Sequence, residues 1–283
     1  MPELPEVETI VRELAPVVRG ARLGPIRMLR PDIVRGSSDF GNGRGSLKSA
    51  LDGQIIRQLG RHGKRLLIEF ESGSHLVIHL GMTGQLHFVP SRTVCRLHTH
   101  LRIGVGGSEQ ELRFVDARRF GGIWFLKDES ETDHDLSPLG PDALTVSKRT
   151  FVGLMRRRRQ IKALLLDQQA ISGLGNIYVD ESLHAARLHP LTCACALPET
   201  TSQFLWRAMR RILRQAIRAK GSTISDYRTS NDQPGEFQNR HRVYGRQGKP
   251  CFRCRTPIVR LKAAGRSSHL CPTCQPFHGK LIR

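Results

Sequence analysis

The residues best suited to covalent and metal chemistry lie at the two ends of the chain. The first three are Met1, Pro2 and Glu3. A small second residue permits removal of Met1, which leaves Pro2 as a free N-terminus whose nitrogen is a secondary amine. An α-amino group titrates near ~8, so part of it is neutral and nucleophilic at cellular pH, where a lysine would need strong perturbation. Attack on a sugar or carbonyl carbon gives an iminium, and Glu3, one residue along, is placed to exchange protons. The same residues also suit an ordinary helix start, since proline fits the first turn and carboxylates favour the positive end of the helix dipole. At the other end, Cys251, Cys254, Cys271 and Cys274 follow C-x2-C-x16-C-x2-C, the spacing of a tetrahedral zinc site. Of the remaining cysteines, Cys95 stands alone, and Cys193 and Cys195 form a C-x-C that reads as structural.

The elements that must position these groups follow from apolar spacing. Val7, Ile10, Val11, Leu14, Val17 and Val18 recur at helical intervals until Arg19-Gly20, which predicts an amphipathic helix directly after Pro2. From about Leu23 to Phe125 the pattern changes to short runs separated by glycine-rich turns: 65–70, 75–80, 85–89, 98–105, 111–115 and 122–126. Strands at this pitch predict a β-sandwich or barrel. Residues 127–147 are polar and turn-rich, and an inter-domain linker is expected there. Helices are expected over 147–159, 161–168, 176–188 and 199–219. Between the second and third, Ile171 to Asn176 form a glycine-punctuated double turn whose asparagine can cap the next helix and whose backbone N–H groups suit phosphate. Residues 221–240 read as a long loop of the functional kind. The four-cysteine module should close on a β-hairpin, 257–261 with 267–270, that carries Ala264, Gly265 and Arg266 near its tip.

Charge separates the two halves. The chain of 283 residues has a formal net charge of +20, of which residues 1–150 carry +3 and residues 151–283 carry +17. Such density repels itself unless a polyanion offsets it, so nucleic acid is the leading partner and an anionic membrane surface the weaker one. No apolar run approaches the ~20 residues needed to span a bilayer, and the acidic N-terminus is unlike a signal peptide. A cytoplasmic protein is expected.

Taken in order, several motifs resemble those of the formamidopyrimidine-DNA glycosylases of bacterial base-excision repair. They are MPELPEVET at Met1 to Thr9, Gly63-Lys64 before a strand, HLGMTG at His79 to Gly84 and DARRFG at Asp116 to Gly121. GLGNIY at Gly173 to Tyr178, VYGR at Val243 to Arg246 and the cysteine finger complete the set. The resemblance implies an α+β fold. Its parts would be an N-terminal β-sandwich with an opening α-helix (residues 2–135), a helix-two-turn-helix domain with a lesion-covering loop (148–240) and a four-cysteine zinc-finger hairpin (241–275). Duplex DNA would bind in the cleft between the domains.

The resemblance also implies excision of oxidised purines, 8-oxoguanine and formamidopyrimidines, from duplex DNA. The abasic site would then be cleaved by β,δ-elimination through an iminium on Pro2. Pro2, Glu3, Lys64 and Arg266 would be the catalytic set, with Lys64 and Arg266 reaching phosphate. Met82, Arg118 and Phe120 would fill the void left by the flipped nucleotide, and His98, Arg157, Lys162 and Asn176 would contact DNA. One structural zinc ion on the four cysteines, a monomeric state and a nucleoid-associated location are further implications. Two other readings stay open: an endonuclease VIII-like enzyme for oxidised pyrimidines, and a non-catalytic zinc-finger DNA-binding protein. Pro276 to Arg283, with His278, extend past where many relatives stop, and Gly221 to Phe237, which match the base-covering loop, vary freely.

Overall fold

The computed structural model describes residues 1–35, 44–107, 109–127 and 138–277. Residues 128–137 of the expected linker and the tail from His278 lie outside the described residues. The chain divides into two compact units, Met1–Pro138 with Ala219–Glu236, and Leu139–Arg218 with Phe237–Arg283. The segment Ala219–Glu236 therefore groups with the first unit although it follows the long helix of the second.

The first unit opens with α1 (Leu4–Val18), whose apolar stripe is buried except for Val17, which faces solvent in the last turn. Pro5 in its first turn has no N–H to satisfy, as helix starts allow. After β1 (Leu23–Met28) and α2 (Arg44–Leu51) come seven strands: β2 (Ile56–His62), β3 (Arg65–Phe70), β4 (His75–His79), β5 (Gln85–Pro90), β6 (Thr99–Val105), β7 (Gln110–Val115) and β8 (Gly122–Leu126). They form two antiparallel four-stranded sheets, ordered β1-β6-β7-β5 and β2-β3-β4-β8. Strand β3 alternates strictly between half-buried and buried positions, so Leu66, Ile68 and Phe70 point inward. They join Ile78 and Leu76 from one sheet and Leu101, Ile103, Leu112 and Phe114 from the other in a single apolar cluster. Two sheets closed on one core make a sandwich, and the buried face of α1 completes that core.

The second unit is helical: α3 (Lys148–Leu154), α4 (Ile161–Leu166), α5 (Asn176–Ala185) and α6 (Glu199–Arg218). Helix α3 ends five residues earlier than its sequence suggests, and Arg156 to Arg159 lie in exposed turns. Four consecutive arginines on one helical turn would crowd like charges, whereas a turn spreads them. Gln168 folds the double turn by donating to the Leu166 and Leu174 carbonyls, both at 2.9 Å, and accepting from Gly173 N at 3.0 Å. Asn176 is not the cap expected from sequence. Gly175 holds that position, and the asparagine amide is used elsewhere. The chain finishes in the hairpin β9 (Val259–Ala263) and β10 (Arg266–Leu270). Ala264 (φ 52°) and Gly265 (φ 70°) are both left-handed, as a two-residue hairpin turn requires.

Candidate active site

In the first unit the candidate site is built around the N-terminal end of α1. Pro2 and Glu3 are both buried there, and Met1 is the exposed residue. Glu6, one turn in, is almost fully buried and its carboxylate is shared. One oxygen accepts from Glu3 N at 2.8 Å, and the other accepts from Ser222 N at 2.7 Å. The loop 219–236 is thereby fastened to the head of the helix. Tyr227 donates its hydroxyl to the Glu6 carbonyl at 3.3 Å, and burial together with the Glu6 charge pushes its phenol well above the ordinary range, so it remains a donor. Glu13 accepts from Ser230 N at 3.0 Å and Ser230 Oγ at 2.6 Å. At Gly221 (φ +79°) a Cβ would lie 2.7 Å from Glu6 Oε1, so only glycine lets the loop approach this closely.

Lys64 follows Gly63 (φ 60°) in the turn between β2 and β3 and is buried, at 8% exposure, unlike a solvated turn lysine. Its turn is tied to α1 by Arg61, which donates to Glu8 at 2.9 Å and to the Gly63 carbonyl at 2.8 Å. His79 senses the same charge. Burial first, then Lys64 and Arg65, lower its pKa to about 4 against an opposing effect of Asp116, so its ring is neutral near pH 7 and accepts from Gly81 N at 3.1 Å.

Met82 and Phe120 project from two loops locked together by Asp116, which is fully buried. Its carboxylate accepts from Thr83 Oγ1 at 2.5 Å, Arg118 N at 3.3 Å and Gly121 N at 2.8 Å. The backbones interlock as well, since a Cβ on Gly81 would lie 2.4 Å from the Phe120 carbonyl carbon. Out of this rigid base Met82 and Phe120 stand 40% and 55% exposed. The Arg118 guanidinium lies 4.6 Å from the Phe120 ring centroid. Large exposed apolar side chains on over-determined loops are poor core and suited to insertion. His98 is exposed at φ 66°, and its carbonyl accepts from Asp116 N at 3.1 Å.

The second unit gathers its expected residues around the finger hairpin. Arg157 is exposed in the turns after α3, and Arg266 is exposed at the start of β10. Asn176 Nδ2 donates to the Ser267 carbonyl at 2.9 Å, which fixes the backbone beside Arg266. Lys162 departs from expectation. It is fully buried, and its ammonium donates to Asp180 Oδ1 at 2.6 Å, Ser268 Oγ at 2.9 Å and the Ser267 carbonyl at 3.0 Å. With its ammonium enclosed by protein acceptors it is not placed to contact a phosphate; it clamps the hairpin to α4 and α5. Asp180 also accepts from Ser268 Oγ at 3.1 Å and His269 N at 2.8 Å. Glu181, beside it, receives Val243 N and Tyr244 N at 2.9 Å and so cradles the backbone of the VYGR segment.

The sulfur atoms of Cys251, Cys254, Cys271 and Cys274 lie within 4.8 Å of one another. Four thiolates at ~2.3 Å from a tetrahedral zinc would stand about 3.8 Å apart. The pairs Cys251–Cys274 at 4.0 Å and Cys254–Cys271 at 3.3 Å bracket that value. Arg253 N and Cys274 N each donate to a sulfur at 3.4 Å, as suits thiolates. The residues therefore fit a metal ion of the zinc type.

Asp180 and Glu181 lie outside every motif of the sequence, and Glu6, His79 and Asp116 lie inside motifs without a role assigned to them. Glu6 carried a further signal, its i+3 spacing from Glu3 at a helix start. The acids of α5 sit in the run Asn176 to Ala185, which is buried almost all round and offers no polar face to read.

Comparison with known proteins agrees with this geometry. Residues 1–123 match the family model of the formamidopyrimidine-DNA glycosylase N-terminal domain. Residues 139–228 match that of the H2TH domain, and residues 248–276 that of a zinc finger found in the same enzymes and in isoleucyl-tRNA synthetase. A formamidopyrimidine-DNA glycosylase of Pelotomaculum thermopropionicum is 40% identical over 97% of this chain and 99% of its own. One from Thermus thermophilus is 41% identical over 97% and 98%. Among solved structures, a variant Lactococcus lactis enzyme in complex with Fapy-dG-containing DNA superposes with a TM-score of 0.87 at 33% identity, covering 98% of this chain and 100% of that one. The Lactococcus lactis enzyme in complex with abasic-site DNA gives 0.86 at 33% identity over 97% and 100%. Similarity of this extent places the chain in the formamidopyrimidine-DNA glycosylase family.

Proposed function

We propose that this protein removes oxidised purines, 8-oxoguanine and formamidopyrimidines, from duplex DNA and then cleaves the strand at the resulting abasic site. The observation that carries the reading is the head of α1, where Pro2 and Glu3 are buried and Glu6 ties the Glu3 backbone to the 219–236 loop. A flexible, solvated N-terminus would be an ordinary helix start; an immobilised one is prepared for attack.

Once Met1 is removed, the Pro2 nitrogen attacks C1′ of the flipped nucleotide while Glu3 assists opening of the sugar ring. Departure of the base leaves an iminium between Pro2 and the sugar. Loss of a C2′ proton then breaks the C3′–O bond, and a second elimination breaks the C5′–O bond, leaving a one-nucleotide gap. Lys64, buried beside α1, contacts the phosphate next to the lesion and helps move protons. Met82 and Phe120 enter the stack where the damaged base has left, and Arg118 donates to the orphaned base. His98, Arg157, Asn176 and Arg266 grip phosphates, with support from the +17 charge of residues 151–283. Arg266 is suited to a bidentate contact, and Lys162 acts behind it by fixing the hairpin.

We assign residues 2–135 to the catalytic β-sandwich, 148–240 to the helix-two-turn-helix part with its lesion-covering loop, whose residues 219–236 group with the first unit, and 241–275 to the finger. The four cysteines would hold one zinc ion, whose task is structural because four thiolates leave no open position for water. The test is a cleavage assay on matched duplexes carrying 8-oxoguanine opposite cytosine or thymine glycol. Preferential nicking of the first supports the proposal. Preference for the second would make it an oxidised-pyrimidine enzyme, and tight binding without nicking of either would make it a damage-binding protein.

A further inference from the structure

Cys193 and Cys195 have no part in the reaction above, and the thiols of the finger are held in a closed set. Outside that set, the C-x-C brings two free sulfurs to 2.8 Å of each other at the surface, with Cys193 half-buried and Cys195 exposed. A disulfide needs ~2.05 Å, so a movement below about 1 Å brings them to bonding distance. Cys193 is the extended N-cap of a single 3-10 turn, Ala194–Ala196, and the two sulfurs converge across Ala194. The turn is anchored, since Ala194 N donates to the Arg159 carbonyl at 2.9 Å and Cys193 pairs with Gln160. Of the exposed arginines in the neighbouring turns, Arg158 places its charge close enough to Cys195 to favour a thiolate there.

The two thiols are also unequal. Burial pushes Cys193 up, but hydrogen bonds from the Cys195 thiol and from the N–H groups of residues 195 and 196 outweigh it and hold Cys193 below the ordinary thiol range. Cys195, as the donor to Cys193, is raised.

We propose that Cys193 and Cys195 form a reversible dithiol–disulfide site that reacts with hydroperoxides. The Cys193 thiolate attacks the terminal peroxide oxygen and the O–O bond breaks. The sulfur becomes a sulfenic acid, and the departing alkoxide or hydroxide takes up a proton. The Cys195 thiol then attacks the sulfenic sulfur, forming the S–S bond and releasing water. In sum, two thiols and one hydroperoxide give a disulfide, an alcohol or water, and one further water. A small dithiol reverses the change by exchange.

Trypsin releases residues 188–207 as one peptide that contains no cysteine other than these two, so the site can be read in isolation. The zinc-loaded protein is treated with equimolar hydrogen peroxide and digested after alkylation, while zinc release is followed with a chromogenic chelator. The expected result is loss of two hydrogens from this peptide, reversed by dithiothreitol, with zinc retained. In Cys195→Ser the crosslink disappears and dimedone labels Cys193. An unchanged peptide, oxidation of the finger with zinc release before any crosslink, or over-oxidation of Cys195 with no crosslink would each overturn the proposal.

Discussion

Replacement of Lys162 by methionine separates the structural role found for it from the DNA contact expected from sequence. The side chain is fully buried, and its ammonium makes contacts of 2.6, 2.9 and 3.0 Å with Asp180, Ser268 and the Ser267 carbonyl. Methionine preserves the stem and deletes the charge, leaving the Asp180 carboxylate buried without its cation. Removing one partner of a buried pair costs about 3–5 kcal/mol. Asp180 retains two donors, Ser268 Oγ and His269 N, so the lower end, about 3 kcal/mol, is expected. For a chain of this size that corresponds to a fall in Tm of about 5 °C, read by thermal or urea unfolding of the zinc-loaded protein. Pairing Lys162→Met with Asp180→Leu should recover much of the loss, because neither charge is then left alone. Folded Lys162→Met should bind duplex with an unchanged salt slope, whereas Arg266→Ala should flatten the slope by about one ion. A change below about 0.5 kcal/mol together with a flattened slope for Lys162→Met would overturn the structural role and return this lysine to the DNA surface.

Other expectations follow from the same geometry. His79, His87 and His241 are each lowered to about 4, chiefly by burial. The unfolded chain, with histidines near 6.5, therefore binds more protons between these values. Stability contributed by keeping them neutral is present above about pH 6.5 and is lost as pH falls toward 4, by up to about 1.4 kcal/mol per pH unit for each ring. Urea unfolding at pH 7 and pH 5 reads the loss, and His87→Gln should shrink it. Removal of the metal should loosen the cysteine knuckles, because among the described residues the apolar cluster around them comprises Val243, Ile258 and the cysteines themselves. Hydrogen exchange should then accelerate across 251–275 while β3 and β4 stay protected. Gly221→Ala should detach the 219–236 loop from Glu6, since the added Cβ would meet that carboxylate at 2.7 Å. Proteolysis of the loop should rise and base excision should fall, with duplex affinity retained.

Much of the fold was legible because it depends on local periodicity. The strands 65–70, 75–79 and 122–126 match the apolar runs almost residue for residue, and the opening helix follows its apolar stripe. The cysteine spacing carried the metal site, since its ligands come in two adjacent pairs. What sequence did not show is whatever depends on a remote partner. The burial of Lys162 is decided by Ser267 and Ser268, more than a hundred residues away. The use of Glu6 is decided by Ser222, 216 residues along. The Arg156 to Arg159 run kept its apparent helical spacing, but like-charge crowding and the bonds from residues 192–194 to the backbone of residues 159–161 ended the helix earlier.

Both the excision and the strand cleavage proposed for this protein require the Pro2 nitrogen to bond to deoxyribose. The direct measurement is borohydride reduction during turnover on a duplex carrying 8-oxoguanine, followed by mapping of the adduct by peptide mass spectrometry. Attachment to a terminal peptide that begins at Pro2, lost in Pro2→Gly, is the result expected. Attachment at Lys64 or any other amine, or full turnover by protein that still carries Met1, would contradict it.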